Sequence, residues 1–260
     1  MKSLFSLEGR TALITGGSRG IGEMIARGFL AHGAKVYISA RKADQCAQTA
    51  EALSSEGTCI ALPQDVSTVE GCQALVDAYG AHEDKLDILV NNAGAAWGED
   101  FNSFPESGWD KVMDLNVKSP FFLTQRFHGA LKAAASPEQP AKVVMIASID
   151  GMRINAWETY SYQASKAALI HLTRRMAARL IKDQIFVSGI APGAFASNMN
   201  KAARDYADAV AQVVPAGRVG RPEDMAGAAI FLASKAGDYV AGDTIVVDGG
   251  VANLSPSIMQ

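Results

Sequence analysis

A chain of 260 residues with 48% apolar, 20% charged and 7% aromatic side chains has the composition of an ordinary globular protein, rich enough to bury a large core and unlike a disordered chain. Its formal net charge of -3 gives no electrostatic basis for binding nucleic acid or an anionic membrane. Three cysteines without a CxxC pair and four histidines without ligand spacing signal neither a disulfide framework nor a metal site.

Residues 1–10 lack a long apolar stretch, and no run approaches about 18 apolar residues free of charge or glycine. A soluble, cytoplasmic protein with no membrane partner is therefore expected. Short β-rich runs at 11–15, 35–39, 59–62, 88–90, 143–147, 186–190 and 244–247 predict seven strands. Helical patterns at 21–31, 44–54, 69–79, 109–132, 160–180 and 222–233 lie between them. The alternation predicts right-handed crossovers. The expected fold is α/β: a Rossmann-type, doubly wound, seven-stranded, mainly parallel sheet with helices on both faces. One domain spanning 1–260 is expected, with the strand-free stretch 194–220 as a substrate lid.

The first predicted strand runs into Thr15-Gly16-Gly17-Ser18-Arg19-Gly20-Ile21-Gly22, where the first helix begins. Glycines at that junction permit a tight turn and close approach to a pyrophosphate, and the helix N-terminus offers unpaired N–H groups and the positive end of its dipole. Gly16, Ser18, Arg19, Gly20, Ile21 and Gly22 are therefore expected to hold a dinucleotide. At the end of the second strand, where NAD-preferring proteins carry an acid for the ribose 2′-hydroxyl, the chain reads Ser39-Ala40-Arg41. Arg19 and Arg41 are expected to converge instead on a 2′-phosphate, which suits the planar guanidinium fork. The expected cofactor is NADP(H).

Tyr162 and Lys166 are four apart on a predicted helix, hence on one face and about 5–6 Å apart at Cβ. A free phenol has a pKa of about 10, and an adjacent ammonium is expected to lower it, fitting Tyr162 to act as general acid in reduction and general base in oxidation. Tyr160 lacks such a partner, because residue 164 is Ala, and packing or pocket lining is its expected role. Ser148 follows the fifth predicted strand at the carboxyl edge, where its hydroxyl can hold a substrate oxygen. Neither a Gly-x-Ser-x-Gly elbow nor a histidine partner accompanies it, which disfavours serine-hydrolase chemistry. Asn116 lies within a predicted apolar helix, where an amide is expensive to bury without partners.

Across the chain, Thr15-Gly16 through Gly22, Asp65-Val66, Asn91-Asn92-Ala93-Gly94, Asn116, Ser148, Tyr162-Gln163-Ala164-Ser165-Lys166, Pro192-Gly193 and Asp248-Gly249-Gly250 stand in an order that resembles the short-chain dehydrogenase/reductase family in its single-domain form. The resemblance implies hydride transfer between a nicotinamide and a carbonyl, with Asn116, Ser148, Tyr162 and Lys166 as the catalytic set and Asn116 anchoring a water that relays protons from Lys166. It implies that Asp65 and Val66 meet adenine, that Asn91, Asn92, Ala93 and Gly94 line the adenosine side of the cleft, and that Pro192 and Gly193 border the nicotinamide, which Tyr162 and Lys166 also touch.

The substrate is less legible. Gly94 to Trp97, Ile149 to Met152, Trp157, Ala194 and Phe195 are expected to form a mostly apolar rim. Together with Gly-Gly-Ser-Arg-Gly-Ile-Gly, Ser107-Gly108-Trp109 and Gly220-Arg221-Pro222-Glu223, this is similar to the family's NADPH-dependent 3-oxoacyl thioester reductases. The helix ends that are basic in carrier-protein-dependent reductases read Ala133-Ala134-Ala135-Ser136 and Lys182-Asp183 here. A coenzyme-A ester, a free, cyclic or steroid-like ketone and a sugar-derived substrate stay open. A non-catalytic NADP-binding regulatory role on the same scaffold is the remaining alternative. Small and apolar residues on the two long predicted helices are consistent with the family's helix pairing between subunits, so a homotetramer is expected.

Overall fold

The computed structural model describes residues 4–254; residues 1–3, within the stretch read for a leader, and 255–260 lie outside the described residues. Seven strands, β1 (Thr11–Thr15), β2 (Lys35–Ser39), β3 (Cys59–Ala61), β4 (Ile88–Asn91), β5 (Ala141–Ile146), β6 (Ile185–Pro192) and β7 (Thr244–Val247), form one sheet in the order β3-β2-β1-β4-β5-β6-β7. Every pairing is parallel, where the sequence predicts a mainly parallel sheet. The order reverses between β1 and β4. That reversal opens a crevice beyond their carboxyl ends, the place where open α/β sheets bind ligands.

Both faces are covered, and the strands alternate between them. Ala12 and Ile14 join Phe29 and Ile230 on the face of α1 (Gly20–Ala31) and α10 (Pro222–Ala233), whereas Leu13 joins Tyr79, Leu123 and Leu169 on the other. Those three lie on α3 (Val69–Gly80), α5 (Ser119–Arg126) and α7 (Tyr160–Leu180), while α2 (Ala43–Leu53) connects β2 to β3 and α8 (Lys201–Asp205) and α9 (Ala207–Ala211) follow β6. Nearly unbroken apolar strands are thus the consequence of burial on two faces.

The predicted helix 109–132 is not one helix. It divides into α4 (Glu106–Met113), a π-helical turn (Asp114–Lys118), α5, and α6 (His128–Ala134) after a break at Phe127. The cause of the first break is Pro120. It has no N–H to donate to the Asn116 carbonyl four residues back, and the Ser119 N–H reaches instead to the Asp114 carbonyl in the wider register. Strand β5 starts two residues earlier than predicted because Lys142, an unpromising strand residue, is buried beside Asp238 at 2.7 Å. That pair, with Arg10 and Asp87, lies at the opposite edge of the sheet from the crevice.

Candidate active site

The glycine loop is held by its neighbours rather than by contacts of its own. Asn92 donates both to the Thr15 carbonyl at 2.8 Å and to the Gly16 carbonyl at 3.2 Å, and Thr15 Oγ1 accepts from the backbone N–H groups of Asn92 and Ala93 at 3.0 Å each. Asn92 therefore braces the loop with its side chain. A Cβ at Gly22 would collide with the Gly16 carbonyl, and Gly20 has a φ of 56°, so neither position takes a side chain without strain. Helix α1 begins here without a side-chain cap, leaving first-turn N–H groups free for an anion. Arg19 is exposed at its N-cap position, Ser18 is buried with its carbonyl accepting from Thr49, and Ile21 packs partly against the core.

Arg41 stands past β2 with its side chain 70% exposed and 3.9 Å from the carboxylate of Asp65. Asp65 also caps the Ser67 N–H, while Val66 is buried in the core. The Asn91 amide, buried at the end of β4, donates to Thr124 Oγ1 on α5 at 3.1 Å.

Ser148, Tyr162, Lys166 and Asn116 come from β5, α7 and the π turn, and they meet at one end of the crevice. The Ser148 hydroxyl accepts from the Asp150 N–H at 3.1 Å as the chain turns from β5. Lys166, 5% exposed, donates from Nζ to the Ile146 carbonyl at 2.8 Å, and Nζ lies 5.6 Å from the centroid of the Tyr162 ring. Gly151 allows the loop after Ser148 to rest on α7, since a Cβ there would stand 2.5 Å from the Lys166 backbone.

The electrostatics differ from the sequence expectation. Burial raises the Tyr162 phenol above its ordinary range, a hydrogen bond to Ser148 draws it part of the way back, and Asp150 adds to the rise. Desolvation sets the direction of the shift, and Lys166, whose Nζ is tied to the Ile146 carbonyl, is itself lowered to about 8 by burial.

Asn116 has the partners that burial demands. Its Oδ1 accepts from the Ala95 N–H at 2.8 Å, and its Nδ2 donates to the Ala95 carbonyl and to Ser165 Oγ, both at 2.9 Å. Nothing in the sequence pattern marked Ser165 beyond its place in the Tyr-x-x-x-Lys run.

Other expectations shift. Gly193 is required for close packing, because a Cβ there would lie 2.6 Å from the Cβ of Asp248. Of the predicted rim, Ile149 and Phe195 are buried and the Trp97 ring lies on Gly108. Met152, Ile154 and Trp157 are exposed on the segment after Ser148, with Ile154 at 89%. Tyr160 lines a separate aromatic groove of about 410 Å³ with Phe101, Phe104 and Trp109, and its hydroxyl donates to Glu158 at 2.7 Å. Among the described residues there is no cluster of three His, Cys, Asp or Glu able to hold a metal, and no helix long and apolar enough to cross a membrane.

A family model described as enoyl-(acyl carrier protein) reductase matches residues 16–252. The chain is 48% identical over 253 residues to the rhamnolipids biosynthesis 3-oxoacyl-[acyl-carrier-protein] reductase of Pseudomonas aeruginosa, covering 96% of this chain and 99% of that one. It is 39% identical over 254 residues to the 2-dehydro-3-deoxy-D-gluconate 5-dehydrogenase of Dickeya dadantii, covering 95% and 96%. The solved Pseudomonas aeruginosa RhlG/NADP active-site complex is similar with a TM-score of 0.94 and 47% identity, over 97% of this chain and 100% of that one.

Proposed function

Because this chain belongs to the short-chain dehydrogenase/reductase family and is an oxidoreductase acting between a carbonyl and an alcohol, we propose that it uses NADPH to reduce the 3-oxo group of an acyl thioester. The observation that carries this reading is the meeting of Ser148, Tyr162 and Lys166 at the carboxyl edge of the sheet that also carries the uncapped start of α1.

The residues fit a dinucleotide. A glycine cradle that side chains would fill and free N–H groups at a helix N-terminus suit a diphosphate, and the buried Ser39 hydroxyl at the end of β2 has no hydrogen-bond partner among the described residues. When bound, NADPH supplies the hydride. Ser148 and Tyr162 would hydrogen-bond the substrate oxygen, and the Tyr162 phenol, kept protonated by burial, would release its proton to it. Arg19 and Arg41 would hold the 2′-phosphate. Substituting Arg41→Ala is expected to raise the KM for NADPH by on the order of 10- to 100-fold, the worth of one or two charge-assisted hydrogen bonds, and to leave the KM for NADH unchanged. An equal rise for both nucleotides would remove Arg41 from the phosphate site.

An acyl chain suits the apolar side chains of Met152, Ile154 and Trp157 on the segment that follows Ser148. The neighbouring cation Arg153 donates from one guanidinium nitrogen to the Val251 carbonyl at 3.1 Å. The carrier is a finer question. His128, Lys132 and Arg179 all converge on Asp183, within 3.0–3.1 Å, so one carboxylate offsets part of the positive charge at that helix end and ties up its basic side chains. NADPH oxidation should therefore be measured side by side with 3-oxoacyl-coenzyme A, 3-oxoacyl carrier protein and a keto sugar acid. Turnover of either thioester above the sugar acid is the expected result, and preference for the sugar acid would overturn the substrate assignment.

The proposal extends to the stretch 194–220 as the lid. The Gly220 N–H donates to the Ala194 carbonyl at 2.8 Å, closing the stretch at its base, and Ser197 overlies Gly20. It extends also to a homotetramer, for which the exposed Phe121 on α5 and the exposed Ala164, Ala167 and His171 on α7 would be the pairing face.

A further inference from the structure

We infer that Ser165 is a positioning residue for the proposed reaction, acting through Asn116 and the backbone of Tyr162; the inference rests on the reading of Tyr162 as the proton donor. Ser165 is fully buried in the face of α7 that meets the π turn. Its hydroxyl donates to the Tyr162 carbonyl at 2.7 Å and accepts from Asn116 Nδ2 at 2.9 Å. It is the only side chain hydrogen-bonded to both Asn116 and the Tyr162 backbone among the described residues.

The consequence follows from counting the bonds of one amide. Asn116 has two N–H donors and an oxygen with two lone pairs. The Ala95 N–H and carbonyl fix which end is which, because a flipped amide would oppose donor to donor and acceptor to acceptor. Ser165 takes the second N–H. What remains is one lone pair on Oδ1. A Cβ at Gly94 would lie 3.2 Å from Oδ1 and 3.8 Å from Lys166 Nζ, so the gap that Gly94 leaves open is bordered by both atoms. Ser165 thereby fixes the orientation of the Asn116 amide, and it ties that arrangement to the residue carrying the reacting phenol. Without its hydroxyl, Asn116 has a spare donor and α7 loses this side-chain hydrogen bond to the π turn.

The test uses steady-state kinetics on purified full-length protein with NADPH and the best thioester. In Ser165→Ala, kcat is expected to fall about tenfold, a fraction of what a full ångström of misplacement costs, while KM and the Kd for NADPH change less than twofold. Ser165→Thr keeps the hydroxyl and should recover most of kcat, an outcome that a purely volumetric role would not give. If the alanine variant does not fold, Ser165→Cys, similar in shape but a weak donor, carries the same comparison. Wild-type kcat in the alanine or cysteine variant, or a threonine variant no better than alanine, overturns the inference while the proposed function stands. A wild-type protein inert toward every ketone tested overturns the proposed function and this inference with it.

Discussion

Replacing Tyr162 with phenylalanine is expected to lower kcat by on the order of 10²- to 10⁴-fold, the range attributed to a positioned general acid, with the Kd for NADPH within about twofold of wild type. The substitution removes one oxygen and keeps the ring, so the packing around the half-buried Tyr162 is preserved. Ser148 remains as a hydrogen-bond donor to the substrate oxygen, but a serine hydroxyl is too weak an acid to supply the proton in place of the phenol. The direction of the Tyr162 shift adds a second signature. Burial holds the phenol above its ordinary range, so the proton needed for reduction is present throughout the neutral region and is lost only as pH rises through the elevated value. Reduction by the wild type should therefore be insensitive to phenol ionisation near neutrality, while alcohol oxidation, which needs the phenolate, should climb with pH. Stopped assays in both directions across pH would check this; substantial turnover by Tyr162→Phe would show that the proton comes from elsewhere.

The sheet was legible in the sequence because each strand is a short apolar run that needs no partner information to recognise. The residues that misled were chiefly those whose environment is tertiary. Lys142 is an unpromising strand residue until Asp238 is seen beside it, whereas the break in the predicted helix 109–132 is local, since Pro120 deprives the Asn116 carbonyl of its donor. The candidate site shows the same division. The positions of Tyr162, Lys166 and Ser148 follow from helical spacing and a strand end. The state of the phenol does not, because it depends on how deeply the ring is buried and on Ser148 and Asp150 beside it. Gly193 and Gly108 likewise carry a packing requirement, from Asp248 and Trp97, that no local pattern announces.

Lys166→Met is expected to abolish most turnover and yet to stabilise the protein at neutral pH. Lys166 is desolvated in the native state, which lowers its pKa from 10.5 to about 8. At pH 7 the folded chain therefore carries a charge that would be better solvated unfolded, at a cost of about 3 kcal/mol. Methionine fills similar space without the charge. It leaves the Ile146 carbonyl without its donor, a loss of about 1–3 kcal/mol, so the net gain at pH 7 is about 1 kcal/mol. The sign then changes with pH. Between about 8 and 10.5 the unfolded wild type binds a proton that the native state has released, so the wild type gains stability through that window. Near pH 10.5 the burial cost is gone and only the missing hydrogen bond distinguishes the two, leaving the methionine variant the less stable. Urea unfolding of both proteins at pH 7 and pH 10 reads this crossing directly. A variant less stable than wild type at pH 7 by several kcal/mol would mean that the ammonium is stabilised where it lies, and that its role in the proposed reaction is not bought at the expense of the fold.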